Sequence, residues 1–140
     1  MADSGIQTGM SGIAVVRAAD AMLRSLGGGE IQLLLPAMGM PDDPSAELGL
    51  VDPGVEQITL SPVVARNLPT SGVGPRQRVE FLIPAAAVSA ELTSRNVASA
   101  QILLDSSLGV IRDGELFHIE GFTTEYFAGT PYLHRVVAVD

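Results

Sequence analysis

A tight hairpin turn near the C-terminus constrains the fold of this chain more than any other short segment. Asp113-Gly114 separates two runs in which apolar residues alternate, Gly109–Arg112 and Glu115–Gly121. The favoured two-residue hairpin turn requires positive φ angles, and glycine adopts them without a steric penalty. Five of the six aromatic residues lie in this C-terminal part: Phe117, Phe122, Tyr126, Phe127 and Tyr132. We therefore expect a C-terminal β-meander that acts as a packing scaffold rather than a catalytic centre.

Two helices are predicted from capping residues. Ser11 can cap a helix that runs to about Leu26, and Gly27 ends it. The apolar stripe expected on this helix comprises Ile13, Val16, Ala19, Ala21, Met22 and Leu26. Pro84 starts a shorter helix that runs to about Leu92, because its fixed φ suits the first turn and the alanines that follow favour helix.

Alternating apolar residues predict the strands. They are Glu30–Leu35, Glu56–Leu60, Arg78–Ile83, Gly109–Arg112, Glu115–Gly121 and Tyr132–Val139. The segment Val97–Leu104 is ambiguous, and we expect Gln101–Leu104 to enter the sheet. The expected core comprises Phe81, Ile83, Phe117, Ile119 and Val137. The fold class is therefore mostly β (α+β): a small antiparallel β-barrel or sandwich with an N-terminal helix, a short second helix and long loops.

The length of 140 residues suits one domain with a single core. We divide it into an N-terminal arm at residues 1–10, a helix within 11–27, and long proline-rich loops at 36–54 and 66–76. Long loops in compact domains are often binding loops, and exposed methionine suits an adaptable contact surface, although the methionines can equally pack onto the barrel. The interface candidates are Met38, Met40, Asp42, Asp43, Arg66 and Arg76.

Composition limits the possible partners. The formal net charge is −8, which opposes binding to a phosphate backbone. The absence of cysteine excludes disulfides, thiolate zinc sites and a cysteine nucleophile. No run of 18 apolar residues occurs, so we expect no membrane-spanning segment.

Few residues have the spacing that a catalytic or metal-binding site requires. His118 and Glu120 share one face of a strand, and His134 lies on what is expected to be the adjacent strand, so the three could form an open metal site. The alternative is a polar, solvent-facing edge opposite buried Phe117 and Ile119. No Gly-x-Ser-x-Gly motif and no calcium-loop spacing is present. We expect no enzyme activity, no metal and no cofactor, with both histidines facing solvent or a subunit boundary.

The order of these features resembles a known family. Three segments carry the resemblance: Val79–Val88, Gly109–Ile119 and Gly129–Val136. Along the chain they contain an Asp-Gly hairpin, then a loop with glycine and proline, and finally a closing apolar strand. This arrangement is similar to the head-to-tail connector proteins of tailed bacteriophages, the small joining and stopper proteins of the neck. The similarity covers the C-terminal half best. The segment between Pro84 and Leu104 is longer than in the smallest members, which leaves adaptor, stopper and tail terminator open.

The resemblance implies a structural virion protein. It would form a homo-oligomeric ring in the neck. On the head side it would contact a portal or adaptor protein, and on the tail side a tail terminator or tail tube protein. The ring would assemble in the bacterial cytoplasm. DNA would pass through its channel without specific binding, since like charges repel. The alternatives are a small cupin-like metal enzyme built on His118, Glu120 and His134, another tail subunit, or an adaptor that binds peptides at a sheet edge.

Overall fold

Six antiparallel strands form a closed barrel in the computed structural model, which describes residues 11–37, 54–70 and 77–140. The strands are β1 Gly29–Pro36, β2 Val55–Leu68, β3 Arg78–Pro84, β4 Gly109–Arg112, β5 Glu115–Phe127 and β6 Thr130–Val139. Their order is β1-β2-β3-β6-β5-β4, and β4 pairs with β1 to close the circle. The prediction of a mostly β fold with an N-terminal helix is confirmed, and the barrel is selected over the sandwich.

Tight turns join the C-terminal strands. Asp113 and Gly114 have φ angles of 51° and 81°, so both residues of the first turn are left-handed, and Arg112 pairs with Glu115 across it. A second turn at Ala128-Gly129, with φ angles of 50° and 79°, joins β5 to β6. The first hairpin was predicted. The second was not, so β5 extends six residues beyond the predicted end at Gly121.

Helix α1, Gly12–Ser25, begins and ends where the capping residues predict. The Ser11 hydroxyl accepts a hydrogen bond from the Ala14 N–H at 3.1 Å. The predicted apolar stripe is wrong, because Ile13 and Met22 are exposed and Leu23 is buried instead. At 3.6 residues per turn, nine residues place Ile13 and Met22 on opposite sides of the helix. The helix lies along β2, β3 and β6.

Helices α2, Ala85–Arg95, and α3, Ala100–Asp105, cover one end of the barrel. The first confirms the predicted helix after Pro84 and runs three residues past Leu92. The second contradicts the strand expected at Gln101–Leu104. Ser99 caps it by accepting a hydrogen bond from the Ile102 N–H at 3.3 Å, and Leu103 and Leu104 are buried in the core.

Strand β2 is far longer than predicted. It continues past Leu60 to Leu68, so the expected loop does not begin at Arg66. The strand pairs with β1 up to Val63 and with β3 from Val64 onward, and Pro62 lies at this change of partner, where proline is tolerated in a sheet. Residues 71–76 of the second loop and residues 38–53 of the first lie outside the described residues.

Two phenylalanines occupy the centre of the core. The rings of Phe81 and Phe117 are fully buried and meet edge to face, with centroids 5.7 Å apart and planes at 82°. Such a pair adds about 0.5–1.5 kcal/mol to the burial of its apolar area. Ile83 is buried as predicted, and Ile119 is half-buried.

The predicted phase of β6 is wrong. Val136 and Ala138 are fully buried, whereas Val137 is half-buried on the other face. A register shift between Ile119 and Gly121 of β5 separates the pairs Ile119–Ala138 and Gly121–Val137. Because side chains alternate along a strand, a phase error of one residue exchanges the inner and outer face.

Replacing Phe117 with alanine is expected to lower the free energy of unfolding by about 3–5 kcal/mol, because it leaves a cavity beside Phe81. Leu116→Ala is the matched control: it changes the adjacent residue on the opposite, exposed face and should cost less than about 1 kcal/mol. Urea denaturation of both variants tests this. Equal losses would contradict the register of β5.

Candidate functional site

Most of the predicted interface residues cannot be placed. Met38, Met40, Asp42, Asp43 and Arg76 lie outside the described residues. Arg66 lies within β2 rather than in a loop, and its Nη2 atom is 2.6 Å from Glu80 Oε1. Arg135 Nη1 is 3.6 Å from the same carboxylate oxygen, and Glu80 is the buried member of the three. The charge of Arg66 is therefore paired within the barrel wall.

The three residues of the predicted metal site are not brought together. His118 is opposite Val139 and His134 is opposite Thr124, so the histidines are separated by five residues along β6, or roughly 16 Å at about 3.3 Å per residue. Glu120 Oε1 instead accepts a hydrogen bond from Arg78 Nε at 2.9 Å. Within residues 11–37, 54–70 and 77–140, no group of three His, Cys, Asp or Glu side chains could hold a metal ion.

His134 is buried, which contradicts the expectation that it faces solvent. Only 3% of its surface is exposed, because it follows the same alternation as Val136 and Ala138. Its Nδ1 atom lies 2.9 Å from the hydroxyl oxygen of Thr124, the residue opposite it on β5. Burial lowers the pKa of His134, so the imidazole is neutral at neutral pH.

A cavity of about 330 Å³ adjoins this histidine. It lies between the end of β5 and the segment that connects α2 to α3, and it combines hydroxyl groups with apolar and aromatic walls. Its lining includes Leu92, Ser99, Phe122, Thr124, Tyr126 and His134. The size and the mixture of apolar walls with a few polar atoms are typical of binding sites for small groups.

Two exposed apolar patches lie on different elements of the barrel. The helix patch comprises Ala18, Met22 and Leu26, which follow one another at four-residue spacing along α1 and its C-cap. The strand patch comprises Leu108, Ile111 and Leu116: Ile111 pairs with Leu116, and a Cβ on Gly109 would meet Leu116 at 2.9 Å. Met22 and Leu26 of the helix patch belong to the apolar stripe predicted for this helix, whereas Ala18 does not. Neither patch was predicted as an exposed surface.

The barrel order separates these patches. The helix α1 contacts β2, β3 and β6, whereas the strand patch lies on β4 and the start of β5. In the closed order, two strands lie between β3 and β4 in either direction. The helix patch and the strand patch therefore lie on different elements, and Leu26 of the helix patch lines one pocket with Arg112 and Asp113 at the end of β4.

None of the helices in the described ranges is long and apolar enough to cross a membrane. Comparison of the chain with models of protein families, with curated proteins and with solved structures found no match in any of the three.

The stability of the protein is expected to fall as the pH drops below about 6.5, the ordinary pKa of histidine. Because burial lowers the pKa of His134 in the folded state, the unfolded chain takes up the proton first, and the stabilisation present above pH 6.5 is lost on acidification. This group contributes a slope of at most about 1.4 kcal/mol per pH unit.

Urea denaturation between pH 7.5 and pH 5 measures this slope. His134→Gln should remove the histidine contribution, whereas His118→Gln, at an exposed position, should retain the wild-type profile. An unchanged profile in His134→Gln would contradict the assignment.

Proposed function

We propose that this chain is a structural, ring-forming subunit of the neck of a tailed bacteriophage. It joins the portal side of the head to the tail and surrounds a channel for DNA. The order of sequence features that resembles the connector family supports this role. The observation that carries it is the presence of two exposed apolar patches on different elements of one small barrel, the helix patch on α1 and the strand patch on β4 and β5.

Ring formation requires two different, mutually complementary surfaces on each subunit. A head-to-tail contact uses one surface of one copy and another surface of the next, and it closes into a ring when the rotation allows. The helix patch and the strand patch fit this requirement, since each presents large exposed apolar side chains: Leu26 is 62% exposed and Leu116 is 43% exposed. Contiguous exposed apolar side chains mark protein contacts more often than isolated ones.

The charge of the chain suits a channel that DNA traverses. A net charge of −8 repels the phosphate backbone, so DNA passes without adhering. On this proposal the remaining partners are a portal or adaptor protein on the head side and a tail terminator or tail tube protein on the tail side. The protein resides in the virion neck after assembly in the bacterial cytoplasm.

Complementation between two interface variants tests the proposed ring. Met22→Arg disrupts the helix patch and leaves the strand patch intact, whereas Leu116→Arg does the reverse. Each variant alone should remain monomeric, because burying an unpaired guanidinium against apolar side chains is costly. An equimolar mixture should form heterodimers and nothing larger, because only one pair of intact patches remains.

Native mass spectrometry of the full chain distinguishes these species. The wild type should form a closed oligomer whose population rises with protein concentration. Ser94→Arg, at an exposed position of α2, is the control that adds the same charge elsewhere and should assemble as the wild type does. A wild type that stays monomeric at high concentration, or variants that assemble normally, would refute the proposed contacts.

A further inference from the structure

Among the residues that the structure describes, one edge of β5 has no neighbouring strand along most of its length. Strand β4 pairs only with Glu115–Phe117, and from His118 onward β5 pairs only with β6. Among the described residues, no backbone hydrogen bond from outside β6 reaches Ile119–Phe127. Within the described ranges, the barrel therefore retains an open edge where β5 extends beyond β4.

The regular part of this edge is five residues long. Register shifts occur between Ile119 and Gly121 and between Glu125 and Tyr126, so uninterrupted pairing with β6 covers Gly121–Glu125. In an antiparallel strand, every second residue directs its N–H and C=O away from the existing partner. An extended chain laid along Gly121–Glu125 can bond to these groups, as a strand does when it is added to a sheet.

Two cavities adjoin the same edge. The cavity beside His134 reaches Phe122, Thr124 and Tyr126, and a second cavity of about 260 Å³ runs from Leu104–Leu108 to His118–Phe122. Both are lined by Phe122. Since side chains alternate between faces, a strand added at this edge would direct every second side chain toward these cavities.

The His134 side chain supplies an independent polar feature. The hydroxyl of Thr124 hydrogen-bonds with Nδ1, and no hydrogen bond to Nε2 is present among the described residues, although only 3% of His134 is exposed. A buried polar atom without a partner is energetically costly. A ligand group that hydrogen-bonds to this nitrogen would recover part of that cost.

We propose that the open edge of β5 binds an extended peptide segment of another polypeptide, which pairs with Gly121–Glu125 and places one aromatic side chain with a hydrogen-bonding group in the His134 cavity. In this arrangement the cavity walls formed by Leu92, Phe122 and Tyr126 contact the aromatic ring of the peptide side chain. His134 meets the polar atom at its end, so a tyrosine side chain, which has an apolar body and a polar tip, has the required chemistry. The site does not depend on the proposed neck role.

Peptides selected from a randomised heptapeptide display library against the full chain provide the probe. The selected peptides should share a tyrosine at one position within an alternating sequence. Adding the best of them should slow amide hydrogen exchange within Gly121–Glu125 and shift the His134 imidazole resonances. Replacing its tyrosine with phenylalanine should weaken binding about two- to tenfold, the range expected for one hydrogen bond.

A variant that fills the cavity separates edge binding from non-specific binding. Ala98 is exposed and lines the cavity, so Ala98→Trp should lower the affinity at least tenfold. Ala90→Trp places the same side chain at an exposed position of α2 and should change the affinity less than twofold. This pair leaves His134 unchanged, so the result does not depend on the folding of a core variant.

Four results would overturn the proposal. The first two are that no peptide is selected, or that a peptide binds without slowing the exchange of β5 amides. The third is that the edge amides are already protected in the dilute free chain, and the fourth is that these amides become protected only as the protein concentration rises. The third would assign the edge to another part of the same chain, and the fourth to a second copy. Neither the helix patch nor the strand patch is altered in these experiments, so their outcome is separable from that of the ring.

Discussion

The exchange of partners along β2 and β5 is the constraint on which the rest of the structure depends. β2 pairs first with β1 and then with β3, while β5 pairs first with β4 and then with β6. Because β2 and β5 each pair with strands in both halves of the barrel, the six strands can close around one core. Helices α2 and α3 add contacts to this frame: Arg95 of α2 pairs with Glu56 of β2, and Leu103 of α3 reaches the core.

Local turn and capping chemistry could be predicted, whereas tertiary pairing could not. Asp113-Gly114 and Ser11 specify their turn and cap by their own residue types, and both predictions were correct. Ala128-Gly129 was missed because alanine seldom adopts positive φ. The apolar run Gln101–Leu104 is compatible with a strand or a short helix, and Ser99 as its N-cap was the one local signal for the helix. The length of β2 depends on a change of partner that no local pattern records.

The error at His134 has the same origin as the error at Val137. The run Val136-Val137-Ala138-Val139 is apolar at every position, so alternation does not reveal which residues face inward. The pairing with β5 sets the phase: Ala138 is opposite Ile119 and Val136 is opposite Phe122, and both residues of β6 are buried. His134 also points inward, and one of its ring nitrogens hydrogen-bonds with Thr124. A residue that looks like part of a polar edge is therefore a buried neutral imidazole.

The strand lengths that close the barrel also determine where it can bind. β4 has four residues and β5 has thirteen, so beyond Phe117 β5 pairs only with β6 among the described residues. The His134 cavity lies beside this part of β5, next to the six-residue helix α3. The helix patch lies on α1, and the strand patch lies on β4 and the start of β5, where Leu108 also lines the second cavity. In the proposed ring, contacts between subunits would use these patches, whereas a different polypeptide would pair with Gly121–Glu125 of β5.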